Sequence, residues 1–191
     1  MIINTGMMIT SYNKSTIRSV TFSSNTGINC YGDLTVDEFA NITFGNDSTI
    51  NSYGTFLLNE GSTIDINPTS GKATLNMYKG AVINGEINIQ PLGTGTTAYL
   101  TYYYSKSKLN INGSLYVAPV SSNNVIIQAP TISVTGSFMI DAIQFNTKVT
   151  LNSNVENTGI ISFIGINPNP TNINKPDETS YVRNIITGRI T

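Results

Sequence analysis

The sequence predicts an all-β fold, a single-stranded parallel β-helix in which the chain winds through about six three-sided coils. The first observation behind this is a glycine followed by alternating apolar residues. It recurs as YGDLTV at Gly32, YGTFLL at Gly54, NGEINI at Gly85, NGSLYV at Gly113, TGSFMI at Gly136 and TGIISF at Gly159, with weaker copies at Gly6 and Gly188. Successive members of the six strong copies lie 22, 31, 28, 23 and 23 residues apart, the length of one solenoid coil with some loops enlarged. The second observation is the lack of any helical pattern. Nowhere do apolar residues recur at i, i+3, i+4 and i+7 over three turns, and the abundant Asn, Thr, Gly and β-branched residues form helices poorly. An antiparallel β-sandwich or jelly roll is the alternative, because its short strands look similar over a short window. The return of one glycine motif at near-coil spacing separates the two.

Taken in order, residues 1–31 read as an N-terminal cap or irregular first coil, residues 32–165 as the solenoid, and residues 166–191 as a Pro/Asn-rich arm with a terminal strand. The coil from Gly32 is the cleanest: Leu34 and Val36, then Ile42 and Phe44, then Ile50 make three short alternating runs separated by turn-forming residues. Period-two apolar residues point to one side, inward, where only the next coil can cover them. Leu34, Val36, Ile87, Ile89, Leu115, Val117, Phe138 and Ile140 are therefore expected to stack in register as one core. The lead-in INCYG before one coil matches INSYG before the next. Pro68 and Gly71 mark an enlarged corner, GTGTT (93–97) a flexible one, and after Phe163 the prolines of INPNPTNINKPDETS exclude central strands.

At 191 residues the chain suits one domain with a sizeable core. Charged residues make up 11%, against roughly 25% in an ordinary soluble domain, and the net charge is −1. No basic footprint for nucleic acid or anionic membrane results, and no segment has the roughly 20 apolar residues that span a bilayer. Met1 to Lys14 carries no positive leader of the secretory type. Cys30 is the only cysteine, which excludes an intrachain disulfide, and its place before Gly32 suits a small buried residue.

The same poverty extends to chemistry. Without any His there is no Ser/His or Cys/His nucleophile pair, and the commonest metal ligand is missing. Asp33, Asp37 and Glu38, and Asp177 with Glu178, read as polar corners; neither a catalytic residue nor a metal or cofactor site is expected, and the chain is not expected to be an enzyme. The candidate contact surface is the run Tyr99, Tyr102, Tyr103 and Tyr104 with Lys106 and Lys108, since exposed aromatic faces stack on sugars and anchor interfaces. Simple packing accounts for part of that run equally well: Tyr99 and Tyr103 fall on one strand face, Tyr102 and Tyr104 are set apart from them. The candidate assembly arm comprises Asn167, Pro168, Pro170, Pro176, Tyr181 and Arg183.

From Gly32 to Phe163 the Gly-x-apolar-x-apolar coils and Asn/Thr/Ser-rich corners resemble the β-solenoid proteins found as filamentous adhesins, autotransporter passengers and viral or phage fibres and spikes. The resemblance implies a structural or assembly protein, a subunit of a virion, fibre or surface filament in a homo-oligomer or multi-protein particle. It places the chain in a virion or at the extracellular surface. The alternative it implies is an adhesin or spike that binds a glycan or receptor through the tyrosine-rich coil.

Overall fold

The structure, a computed structural model, describes residues 1–164 except 121, 145 and 146, together with the backbone of strand Ile185–Thr187. Every regular element among the described residues is a strand, and every strand pairing is parallel. The chain forms a β-solenoid of about seven turns, one more than the glycine motifs suggest. The additional turn comes from the start of the sequence. Residues 2–30 contribute the strands Ile2–Ile3, Met8–Ser11, Ser15–Ile17, Val20–Phe22 and Gly27–Cys30, all paired with later coils.

Three faces run along the solenoid. The first stacks Ile2–Ile3, Val20–Phe22, Asn41–Phe44, Thr63–Ile66, Glu86–Ile89, Ser114–Val117, Ser137–Asp141 and Ile160–Ile164 in one eight-stranded sheet. The second stacks Met8–Ser11, Gly27–Cys30, Ser48–Ser52, Lys72–Met77 and Thr97–Tyr102, and the third Ser15–Ile17, Leu34–Val36, Phe56–Leu58, Ala81–Ile83 and Leu109–Ile111. In the last two coils the strands Asn124–Val134 and Lys148–Asn157 run through both the second and third faces without a break.

The inward residues repeat at the same place in each coil. On the first face Ile42, Ile64, Ile87, Leu115 and Phe138 pair in sequence, as do Phe44, Ile66, Ile89, Val117 and Ile140, and all of these are buried. Leu34 and Val36 belong to another column. They lie on the third face and pair with Phe56 and Leu58, not with the stack through Ile87, which corrects the single register expected for all eight.

The reason is that one glycine motif serves two different corners. Gly32 and Gly54 stand where the chain turns from the second face to the third, whereas Gly85, Gly113, Gly136 and Gly159 stand where it turns from the third to the first. The spacing of 31 between Gly54 and Gly85 therefore compares unlike places. At these glycines the coils touch backbone to backbone. A Cβ on Gly113 would sit 2.0 Å from the carbonyl oxygen of Gly85, and one on Gly54 would sit 2.2 Å from that of Gly32. The residues before the second set bond from coil to coil as well: Asn112 Nδ2 donates to Asn84 Oδ1 at 2.9 Å and Thr135 Oγ1 to Asn112 Oδ1 at 2.8 Å.

The corner from the first face to the second uses a different device. Gly6, Asn25, Asp47, Gly71, Gly95 and Ser122 all have φ between 50° and 81°, one left-handed residue at this corner in each of the first six coils. These are the residue types that tolerate such a conformation, either by lacking Cβ or by hydrogen-bonding locally. Side chains then tie the turns together, since Asn46 Oδ1 accepts from the backbone N–H groups of Thr69 and Ser70 and Asp47 Oδ1 from that of Lys72. Gly93 to Thr97 is thus the same corner in a later coil, set by geometry that the neighbouring coils share.

Candidate functional site: a ladder of tyrosines and asparagines on the second face

The outward positions of the second face carry the least expected feature. Each of the first five coils ends its second-face strand with the same short phrase: MITSY (8–12), GINCY (27–31), TINSY (49–53), TLNMY (74–78) and YLTYY (99–103). Because the strands pair in register, the second apolar residue of each phrase points inward and its first, third and fifth residues point outward. Three outward columns result, and the last is a continuous stack of tyrosines. Ring centroids are 5.2 Å apart for Tyr12 and Tyr31, 4.6 Å for Tyr31 and Tyr53, 4.7 Å for Tyr53 and Tyr78, and 4.6 Å for Tyr78 and Tyr103. Interplanar angles stay between 7° and 13°.

The backbone fixes this spacing. The N–H of Tyr31 donates to Ser11 O, that of Tyr53 to Cys30 O, that of Tyr78 to Ser52 O and that of Tyr103 to Met77 O, at 2.8–2.9 Å. Coils separated by the ordinary inter-strand distance of about 4.8 Å place parallel rings at van der Waals contact, so stacking follows from register with little further adjustment. Two residues earlier the middle column forms its own ladder. Asn51 Nδ2 donates to Asn29 Oδ1 and Asn76 Nδ2 to Asn51 Oδ1, both at 2.8 Å. An amide has two N–H groups and two carbonyl lone pairs, and the ladder uses one of each at Asn51. None of the three columns carries a charge in the first five coils.

Stacking also changes the phenols. Tyr53 and Tyr78 are half-buried by their neighbours. Burial, followed by the adjacent Tyr103 and Tyr53, holds the Tyr78 hydroxyl protonated to higher pH than an ordinary tyrosine. Beside the ladder, Asp33 Oδ1 accepts the backbone N–H of Thr55 in the next coil at 2.8 Å, and that bond, assisted by Lys79 and Lys14, holds its carboxyl ionised to lower pH than an ordinary aspartate.

The residues expected to form a contact surface divide among different environments. Tyr103 is exposed and is the last member of the ladder; Tyr99 is half-buried in the first outward column. Tyr102 points inward, is fully buried and bonds through its hydroxyl to Ser107 Oγ at 2.5 Å, so its side chain belongs to the core. Its burial holds the phenol protonated to higher pH than an ordinary tyrosine. Tyr104 is partly buried against the core. Lys106 is exposed, and Lys108 pairs with Glu156 two coils further on. Alternation along an extended strand explains the split, since neighbours such as Tyr102 and Tyr103 must face opposite ways. Asn167, Pro168, Pro170, Pro176, Tyr181 and Arg183 lie outside the described residues.

The ladder was visible in outline, because INCYG and INSYG already match, but MITSY, TLNMY and YLTYY complete the set only when aligned on tyrosine at spacings of 19, 22, 25 and 25. The dense run at 99–104 holds one member, Tyr103, of a column whose other members are far apart in sequence. Cys30 is buried, with its sulfur 3.3 Å from Gly32 O. Among the described residues no three His, Cys, Asp or Glu side chains gather where they could hold a metal ion.

Fold and surface together define a β-solenoid repeat protein with an aromatic and amide ladder along one face. Compared with known proteins, the chain matches no family model, no curated protein and no solved structure.

Proposed function

We propose that the chain is a non-enzymatic structural protein, a subunit of a virion, fibre or surface filament that works by associating with other copies or other proteins. The observation that carries this reading is the first coil. Ile2–Ile3, Met8–Ser11 and Ser15–Ile17 are the terminal strands of their sheets, so each has an edge to which a further strand can pair. Around them Ile2, Met7, Met8 and Tyr12 are all more than half exposed. The second contact in this reading is made by residues 166–191.

The test separates the two connections. Deleting residues 166–191 is expected to leave a β-rich fold that no longer forms the oligomer or particle of the intact chain. Ile2→Lys with Met8→Lys, which places charge beside an open edge, is expected to weaken association at the other end. Light scattering and electron microscopy that find unchanged assemblies in both variants would reject the proposal.

A second reading, recognition of a glycan or receptor, is favoured by one observation: the uncharged, repeating Thr, Asn and Tyr columns of the second face.

A further inference from the structure

The tyrosine ladder stops at Tyr103, and the way it stops leaves a hollow. In the next coil the corresponding stretch is Gln128, Ala129 and Pro130, and the strand pairing shifts register between Gln128 and Thr131. Proline cannot donate to the ladder, and no tyrosine follows to cover the ring. The result is a depression of about 240 Å³ lined by Tyr102, Tyr103, Gln128, Ala129, Pro130 and Asn152.

The geometry points to a subsite for one uncharged pyranose of an extended glycan, an inference that rests on the recognition reading above. Two features of the hollow support it. Tyr103 is a preset platform: its ring stacks on Tyr78 at 4.6 Å and 7°, so one face is fixed and the opposite face is directed away from Tyr78, toward the coil that carries Gln128 and Pro130. A rigid aromatic face held in place loses little conformational freedom when a flat apolar surface is laid on it, and the C–H face of a pyranose is such a surface. Gln128 and Asn152 pair with one another in adjacent strands, which sets two amide side chains side by side on the column next to the ring. An amide both donates and accepts, which suits hydroxyl groups that do the same.

Charge then narrows the class. No lining residue is charged, so nothing in the hollow compensates a carboxylate, sulfate or phosphate. Its volume is below the roughly 300 Å³ at which sites for drug-sized ligands begin, and corresponds to one ring of a longer molecule. The remaining sugars have a surface to follow, because beyond the buried Thr101 the half-buried Asn76 and Asn51 continue the same column along the second face beside the tyrosines.

The experiment titrates the intact chain with neutral oligosaccharides, using maltohexaose, cellohexaose, xylohexaose and laminarihexaose as probes, and screens an array that also holds acidic glycans. Binding is read by calorimetry and by tyrosine fluorescence. At least one neutral probe is expected to bind. Gln128→Ala, which leaves the ladder intact, and Tyr103→Ala are each expected to weaken it at least tenfold, while Tyr103→Phe keeps the ring and binds within about threefold. Tyr12→Ala shortens the ladder at its far end and serves as the control for lost stacking, with no change in binding expected. Binding that survives Gln128→Ala and Tyr103→Ala unchanged overturns the subsite while leaving recognition elsewhere intact. Retention of acidic glycans alone overturns the assignment to neutral sugars, and failure to retain any glycan removes the recognition reading and the subsite with it.

Discussion

The first five coils and the last two solve the turn from second face to third in different ways. In the former, a strand ends, a tyrosine projects outward and a glycine or short polar stretch turns the chain, as in Tyr31-Gly32-Asp33, Tyr53-Gly54-Thr55 and Tyr78-Lys79-Gly80. In the latter, QAPTI and NSNVE contain neither tyrosine nor glycine, and the strands Asn124–Val134 and Lys148–Asn157 pass straight through. The interior hardly registers the change, since Ile127, Ile132, Leu151 and Val155 are as buried as Ile50 and Phe56. The difference teaches that inward apolar residues set the coil, whereas the corner residues decide only how sharply it turns and what it shows to solvent.

That division can be attacked first where both regions should fail together. Leu115→Asp places a charge in the common interior, with no partner, and is expected to cost about 3–5 kcal/mol and to unfold the whole solenoid in one transition. A melt within a degree or two of the parent would break the account of the core. The corner comes next. Gly54→Val meets the Gly32 carbonyl and is expected to cost more than about 2 kcal/mol, whereas Thr131→Val, on a strand that needs no sharp turn, should change stability by less than about 0.5 kcal/mol. Comparable losses in urea titrations would erase the distinction between the two regions.

A smaller effect belongs to the ladder. Tyr53→Ala removes two stacked pairs and is expected to cost about 1–3 kcal/mol; Tyr12→Ala removes one exposed pair and should cost less than about 1.5 kcal/mol. Equal losses would mean that the stack is not cumulative. The smallest expected effect is the response to alkali. Folding raises the pKa values of Tyr78 and Tyr102, so both contribute stability that is complete below the unfolded tyrosine value near 10 and is lost as pH rises through the folded values. Ultraviolet titration should find these two phenols ionising at higher pH than free tyrosine, and Tyr78→Phe should reduce the alkaline sensitivity.

Much of this fold could be read from sequence because inward positions alternate strictly: Ile87 and Ile89, Leu115 and Val117, Phe138 and Ile140 all fall where the motif puts them. The motif could not say which corner a glycine occupied, since Gly54 and Gly85 meet the same demand, backbone against backbone, at different turns. The ladder was harder to see for a related reason. A column of Tyr12, Tyr31, Tyr53, Tyr78 and Tyr103 is ordered by pairing between coils, and the local run at 99–104 contains one of its members beside Tyr102, which faces the core.

The central claim is that residues about 25 positions apart are nearest neighbours along one axis, in register. Intrachain cross-linking tests it directly. In a Cys30→Ala background, Tyr53→Cys with Tyr78→Cys places two thiols on adjacent coils, where parallel strands hold Cα atoms within the range a disulfide can span, whereas Tyr53→Cys with Tyr103→Cys leaves a coil between them. Mild oxidation of the monomer is expected to close the first pair and not the second. Failure of the first to close, or equal closure of both, would contradict the in-register solenoid.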